Sequence, residues 1–199
     1  MLSVIVTTLN SEQALLHSFS SLVPATAEGI VRDVLVIDRG STDATRTLAD
    51  AAGANWVSSA DAEPNIVELA LDHTHRGEWL LFIRPDVMLE SGWHNEAMAF
   101  IERCQRAGSD HQLAVLRYQS DDFGLKVRAT EKLVNFAAQT IGLTHPCQGL
   151  LASRASLARH GKRRAKLSAT TPAQILRALR AGRPTTLRSA AIRIASPQA

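Results

Sequence analysis

Asp33-Val34-Leu35-Val36-Ile37-Asp38-Arg39-Gly40-Ser41-Thr42-Asp43 decides the fold. Val34 to Ile37 form a short, largely β-branched apolar run, which reads with its flanking aspartates as a strand buried on both faces. Gly40 permits a tight turn. Ser41, Thr42 and Asp43 can each accept from the orphan N–H groups that open the next helix. This strand–turn–helix unit recurs outward in both directions. Upstream, Leu2–Thr7 reads as a buried strand, and residues 11–23 read as a helix with Leu15, Leu16, Phe19 and Leu22 on one face and Asn10 or Ser11 as cap. Downstream, the pattern predicts a helix over 43–52, a strand over 55–57, a helix from Pro64 to about His75, and a strand over 78–83 stopped by Pro85-Asp86. A helix over about 89–107 and a strand over 113–118 follow.

Strands alternating with helices give an α/β fold, with a mostly parallel central sheet and helices on both faces. Such sheets bind ligands where their strands end. The polar strand ends Thr7 to Asn10, Asp38 to Asp43, and Arg84 to Asp86 are therefore the candidate site. Beyond residue 120 the pattern loosens. Residues 126–141 read as an amphipathic helix and 148–152 as a possible strand. Residues 158–168 read as a basic loop, a helix starts at Thr171 or Pro172 and ends near Gly182, and 185–194 alternate as a last strand before a frayed end.

The chain of 199 residues, 45% hydrophobic and 21% charged, suits one domain with a sizeable core. Two cysteines exclude a disulfide scaffold and fit a reducing, cytoplasmic setting. No apolar run is long enough to span a bilayer, and the N-terminus lacks the pattern of a signal peptide. The charge is divided. Residues 1–131 hold 10 Lys and Arg against 19 Asp and Glu, whereas residues 132–199 hold 12 Lys and Arg and no acidic side chain. Such a tail suits an anionic partner. Nucleic acid is disfavoured, since stacking aromatics are missing: Phe136 is the last aromatic residue. An anionic membrane surface is the better match, with a solvated face that balances the acidic body as the plain alternative.

Three segments occur in order: Ser3-Val4-Ile5-Val6-Thr7-Thr8-Leu9-Asn10, Val36-Ile37-Asp38-Arg39-Gly40-Ser41-Thr42-Asp43, and Gly77-Glu78-Trp79-Leu80-Leu81-Phe82-Ile83-Arg84-Pro85-Asp86. Together they resemble the family 2 glycosyltransferases of the GT-A, nucleotide-diphospho-sugar transferase-like fold. The likeness covers residues 2–100. It extends to a small bacterial subgroup through Asp121-Asp122 and through His145-Pro146-Cys147-Gln148-Gly149-Leu150. The resemblance implies a single domain over 1–199, with a nucleotide-binding half at 1–120 and a shortened, basic acceptor-side half at 121–199. It implies transfer of a sugar from a nucleotide-diphosphate sugar to an acceptor that could be lipid-linked, at the inner face of the membrane.

By the same resemblance, Thr7, Thr8, Leu9, Asn10, Asp38, Arg39, Gly40, Ser41, Asp43 and Arg84 would bind the nucleotide. Asp86 would ligate Mg²⁺ or Mn²⁺ as the last aspartate of an Asp-x-Asp motif, since a hard cation bridges carboxylate to diphosphate. Asp121 or Asp122 would serve as general base. Three positions depart from the family pattern. Arg39 stands where a second aspartate is common, Arg84 replaces the first aspartate of Asp-x-Asp, and Cys147 stands where the subgroup usually has an aspartate. These departures fit a second reading, a non-catalytic relative that binds a nucleotide, an anionic membrane or a partner protein. Plain structural roles also exist: Asp38 to Asp43 as a helix cap, Asp121-Asp122 as a helix start, and Cys147 as a small buried hydrophobe. His145 is the remaining local candidate base.

Overall fold

β1 (Leu2–Thr8) is hydrogen-bonded on both sides by strands running in its own direction, and its Val4, Ile5 and Val6, which alternate between the two faces, are wholly buried. Those neighbours are β2 (Val31–Asp38) and β4 (Trp79–Ile83). In register, Thr8 faces Asp38 and Val6 faces Ile83. The chain is described from a computed structural model over residues 1–59, 65–109, 112–161, 171–179 and 183–194. Within these residues one sheet of eight strands runs β3-β2-β1-β4-β7-β6-β8-β5. Its remaining strands are β3 (Asn55–Ser58), β5 (Val87–Leu89), β6 (Leu113–Ser120), β7 (Leu150–Ser153) and β8 (Thr185–Arg193).

The first half of the sheet is parallel, and β6 and β8 also run parallel. Antiparallel pairing enters where β7 joins β4 and β6 and where β5 joins β8. The pleat sends alternate residues to opposite faces, and each face has its own apolar core. Val4, Val6, Leu81 and Ile83 pack with Leu15, Leu22, Trp93 and Phe100. These come from α1 (Glu12–Ser20), from the residue that caps α2 (Val23–Ala27) and from α5 (Trp93–Arg106). Ile5, Leu35, Ile37, Leu80 and Phe82 pack on the other face with Ile66, Val67, Leu157 and Leu176. These belong to α4 (Ile66–His73), α7 (Arg154–Gly161) and α8 (Pro172–Leu179). Helices thus cover both faces, as the sequence pattern predicts.

Several boundaries differ from that pattern for local reasons. The helix expected over 11–23 is two helices, because Pro24 sits in the first turn of α2 and cannot continue α1. α3 (Thr45–Ala51) begins after Asp43, whose carboxylate accepts the Thr45 N–H. α4 is capped by Asn65, which accepts the Glu68 N–H at 3.2 Å; Pro64 lies outside the described residues. The helix expected from residue 89 starts at Trp93, after Gly92 in the left-handed region, because Val87–Leu89 pairs with β8. Part of the expected basic loop is helix α7, and Lys162 to Lys166 lie outside the described residues. The 148–152 strand is β7, entered through a 3₁₀ turn at Pro146–Gln148. α6 (Leu125–Ile141) matches its expected span closely. Residues 180–182 and 195–199 are not described.

Arg154 is no solvated tail cation. Its guanidinium donates to the carbonyls of Leu71, Thr74 and Gly77 and to the Thr74 hydroxyl, tying the loop before β4 to the start of α7. That loop passes so close to β1 that only glycine fits at 77. A Cβ there would overlap the backbone nitrogen and hydroxyl of Ser3 and lie 2.7 Å from the Leu2 carbonyl carbon. Gly77→Ala is therefore expected to cost about 1–3 kcal/mol of stability through overpacking. A urea melt in which the variant matches the native midpoint would contradict this.

Candidate functional site

Strand direction gathers the candidate residues. β1, β2, β4, β6 and β8 run the same way, and β5 and β7 run back from the same edge. That rim therefore holds Thr8, Asp38, Arg84 to Asp86, Ser120 to Asp122, Arg193, and the turn from His145 to Gly149. All sequence-predicted site residues lie along it.

The β1 and β2 ends form a stitched wall. Asp38, 2% exposed, accepts four hydrogen bonds. Oδ1 takes the hydroxyls of Thr8 at 2.9 Å and Ser41 at 2.5 Å, and Oδ2 takes the N–H groups of Gly40 at 3.0 Å and Ser41 at 2.8 Å. Burial alone would raise its pKa, but the donors from Ser41, Thr8 and Gly40 together hold it below the ordinary carboxylate value. Four acceptances fill a carboxylate, so a ribose hydroxyl reaches Asp38 only by displacing one of these donors. Asn10 has φ +49; it donates its N–H to the Ser41 hydroxyl and accepts the Thr42 N–H, both at 2.8 Å. Asp43 accepts the Glu12 N–H and the Thr45 hydroxyl. Thr7 is half-buried, while Leu9, Arg39 and Gly40 are exposed along the edge. The Arg39 guanidinium has no partner among the described residues.

On the other side of β1, Arg84 forks onto Asp86, with Nε to Oδ1 at 2.7 Å and Nη2 to Oδ2 at 3.0 Å. Hydrogen bonding to Asp86 raises the guanidinium pKa beyond its already high value. Both Asp86 oxygens are thus engaged by a cation. Among the described residues no group of three or more His, Cys, Asp or Glu could hold a metal ion. The donor set does not fit Mg²⁺ or Mn²⁺ at Asp86.

Asp86 and Asp121 flank the end of β8. The Asp86 carbonyl accepts the Ile194 N–H at 2.9 Å, and the Asp121 N–H donates to the Arg193 carbonyl at 3.0 Å. Asp122 accepts the Ser120 hydroxyl at 3.1 Å. Both aspartates are exposed before α6. Glu131, which sequence reasoning passed over, accepts the Ser120 N–H at 2.8 Å and holds α6 to this rim.

His145 accepts the Cys147 N–H on Nδ1 at 3.3 Å, which puts its proton on Nε2. Burial first, then Arg193 and Arg84, keep the imidazole pKa low and the ring neutral. It is arranged as a donor rather than a base. Cys147 is buried, and burial pushes its thiol up to about 11, so it is an unreactive core residue. Gln148 is fully buried and architectural: it accepts the His145 N–H and donates to the Leu116 carbonyl. Arg193, in the sequence one of the twelve cations after residue 131, stands at the end of the last strand, and that position is the signal that marks it. A cleft of about 730 Å³ lies well away from the rim, at the start of β2, lined by Phe19, Val23, Val34 and Leu48. It carries none of these groups.

No family model matches the chain, and no curated protein sequence matches it. Solved structures do. Glucosyl-3-phosphoglycerate synthase from Mycobacterium tuberculosis, in complex with Mn²⁺, UDP-glucose and phosphoglyceric acid, matches at 26% identity with a TM-score of 0.52, over 78% of this chain and 57% of that one. The same enzyme with Mn²⁺, UDP and glucosyl-3-phosphoglycerate matches at 21% with a TM-score of 0.59, over 99% and 73%. S. aureus TarS, residues 1–349, matches at 17% with a TM-score of 0.62, over 100% and 58%. The chain thus spans little more than half of some of these relatives. The fold is that of the GT-A glycosyltransferases.

The Asp38 network makes a pH prediction. A depressed folded-state pKa adds stability above the unfolded value near 3.9 and loses it as pH falls through the folded pKa. Asp38→Asn, which places an amide among donors, should cost about 1.5–3 kcal/mol at neutral pH. The deficit should shrink between about pH 4 and pH 2. Equal denaturation midpoints for the two proteins at pH 7 would refute this.

Proposed function

We propose that the chain moves a sugar from a nucleotide-diphosphate sugar to an acceptor. The observation that carries the reading is the meeting of Thr8, Asp38 and the Arg84 to Asp86 segment at one carboxyl rim of a GT-A sheet, where such folds hold ligands. In this reading Thr7 to Asn10 and the Asp38 to Asp43 turn form the nucleoside wall, and Arg84 faces the diphosphate. Asp121, whose carboxylate has no partner among the described residues, or Asp122 takes the proton of the acceptor hydroxyl. Residues 1–120 form the donor half and 121–199 the acceptor half of one domain. The second reading, a nucleotide-binding relative without turnover, is favoured by the engaged Asp86 and by a core thiol at 147. A screen of sugar nucleotides for donor hydrolysis and transfer, with Mg²⁺, Mn²⁺ and EDTA, decides between them. Turnover is expected, and Asp121→Asn with Asp122→Asn should lower it about 10²-fold or more. Nucleotide binding without turnover of any donor would establish the second reading.

A peripheral position on an anionic membrane, at its cytoplasmic face, fits the outer face of α6. Leu125, Leu133 and Phe136 share that face and are 91%, 68% and 63% exposed, with Phe123 just before them. Lys126 and Lys132 flank the stripe, and Arg183 packs by its C-terminal Gly142. An apolar stripe edged by lysines is the pattern of an interfacial helix, and it would bring a lipid-linked acceptor to the rim beside Asp121. No helix among the described residues is long and apolar enough to cross a membrane. Co-sedimentation with vesicles containing phosphatidylserine should fall with salt and drop severalfold in Leu133→Ser with Phe136→Ser. Failure to sediment at low salt would remove the membrane, and dimers in light scattering that the same variant dissolves would assign the face to a second copy.

A further inference from the structure

Resting on the sugar-nucleotide reading, we propose that this site binds the diphosphate without a divalent cation, with Arg84 as the fixed cation and Asp86 as the residue that positions it.

The stoichiometry of the fork supports this. A guanidinium has five N–H donors in one plane. Nε and one N–H of Nη2 are spent on the two Asp86 oxygens. The opposite edge, with the second N–H of Nη2 and both of Nη1, is uncommitted among the described residues. It has the spacing that suits two phosphate oxygens. Asp86 is held in turn. Its carbonyl accepts the Ile194 N–H, and Val87 pairs with Arg193, so the segment cannot swing without breaking the β5–β8 ladder.

The surroundings add a second cation and a neutral donor, and the nearest further carboxylates, Asp121 and Asp122, lie beyond the end of β8. Arg193 ends β8 as an exposed side chain with no partner among the described residues. The neutral His145 ring packs on Tyr118 at 4.4 Å and keeps Nε2–H as a donor. The 145–149 turn lies against the end of β4: a Cβ at Gly149 would be 3.5 Å from the Phe82 carbonyl oxygen and from Ile83. A metal ligated by Asp86 would have to break two charge-assisted hydrogen bonds and then sit beside a guanidinium, which repels it. Where a metalloenzyme places carboxylate, metal and diphosphate in line, this chain places carboxylate, guanidinium and diphosphate.

The test is equilibrium binding of UDP, GDP, CDP and ADP by calorimetry, in EDTA and in Mn²⁺. The native chain is expected to bind its preferred nucleoside diphosphate with affinities that agree within about twofold. Arg84→Gln should weaken binding at least tenfold, about 1.4 kcal/mol, in both buffers while its thermal midpoint stays close to native. Arg84→Asp, which restores two carboxylates around Pro85, should bind only when Mn²⁺ is present. Native binding that EDTA abolishes would overturn the fixed-cation proposal and leave the sugar-nucleotide reading standing. Absence of binding for every nucleoside diphosphate in both buffers would overturn both.

Discussion

The rim depends on the in-line hydrogen bonding of β1 between β2 and β4. Parallel neighbours on both sides force three consecutive motif ends onto one edge, and burial on both faces leaves the strand no freedom of register, since a one-residue slip would exchange Val4 and Val6 with Ile5 between the two cores. Gly77 and Arg154 serve the same constraint. The glycine lets the incoming loop pass against Ser3, and the arginine secures that loop from the far side of β4. The site is therefore built by backbone pairing before any polar side chain contributes.

Several acidic residues of the body accept from backbone donors rather than from the cations of the basic tail. Glu96 accepts the N–H groups of Arg188 and Ser189 at 2.7 Å each, Glu90 accepts that of Ala190, and Glu131 accepts that of Ser120. The first three sit where β8 slips its register against β6 and leaves donors unpaired. Among the described residues, segregated charge in the sequence thus does not become a layer of ion pairs between body and tail. It becomes a set of side-chain acceptors for an irregular strand, and the cations at Arg159, Arg177 and Arg183 stay exposed.

Period and motif order made the first half of the fold legible, because buried parallel strands write themselves as short apolar runs and their ends as polar turns. Boundaries were lost wherever one residue overrode the period: Pro24 inside an apparently continuous helix, and Gly92 after a strand too short to register. β5 could not be read from three residues, since its partner β8 lies about a hundred residues away. At the site, the positions of Thr8, Asp38 and Asp86 were legible, but their partners were not. The filling of Asp38 by four donors and of Asp86 by Arg84 depends on side-chain directions that spacing does not encode. The Gln148-Gly149 pair was visible as a motif, and only packing against Leu116 and Phe82 makes it a brace for the β7 entrance.

The crossed hydrogen bonds between Asn10, Ser41 and Thr42 carry one more consequence. Two loops that complete each other are already in their final shape before anything arrives, so a visiting molecule meets a surface whose conformational entropy was surrendered during folding. A molecule that seated on these loops without reaching Asp38 would dock onto a hard template, whereas one that reached Asp38 would have to displace a donor and unmake part of that order.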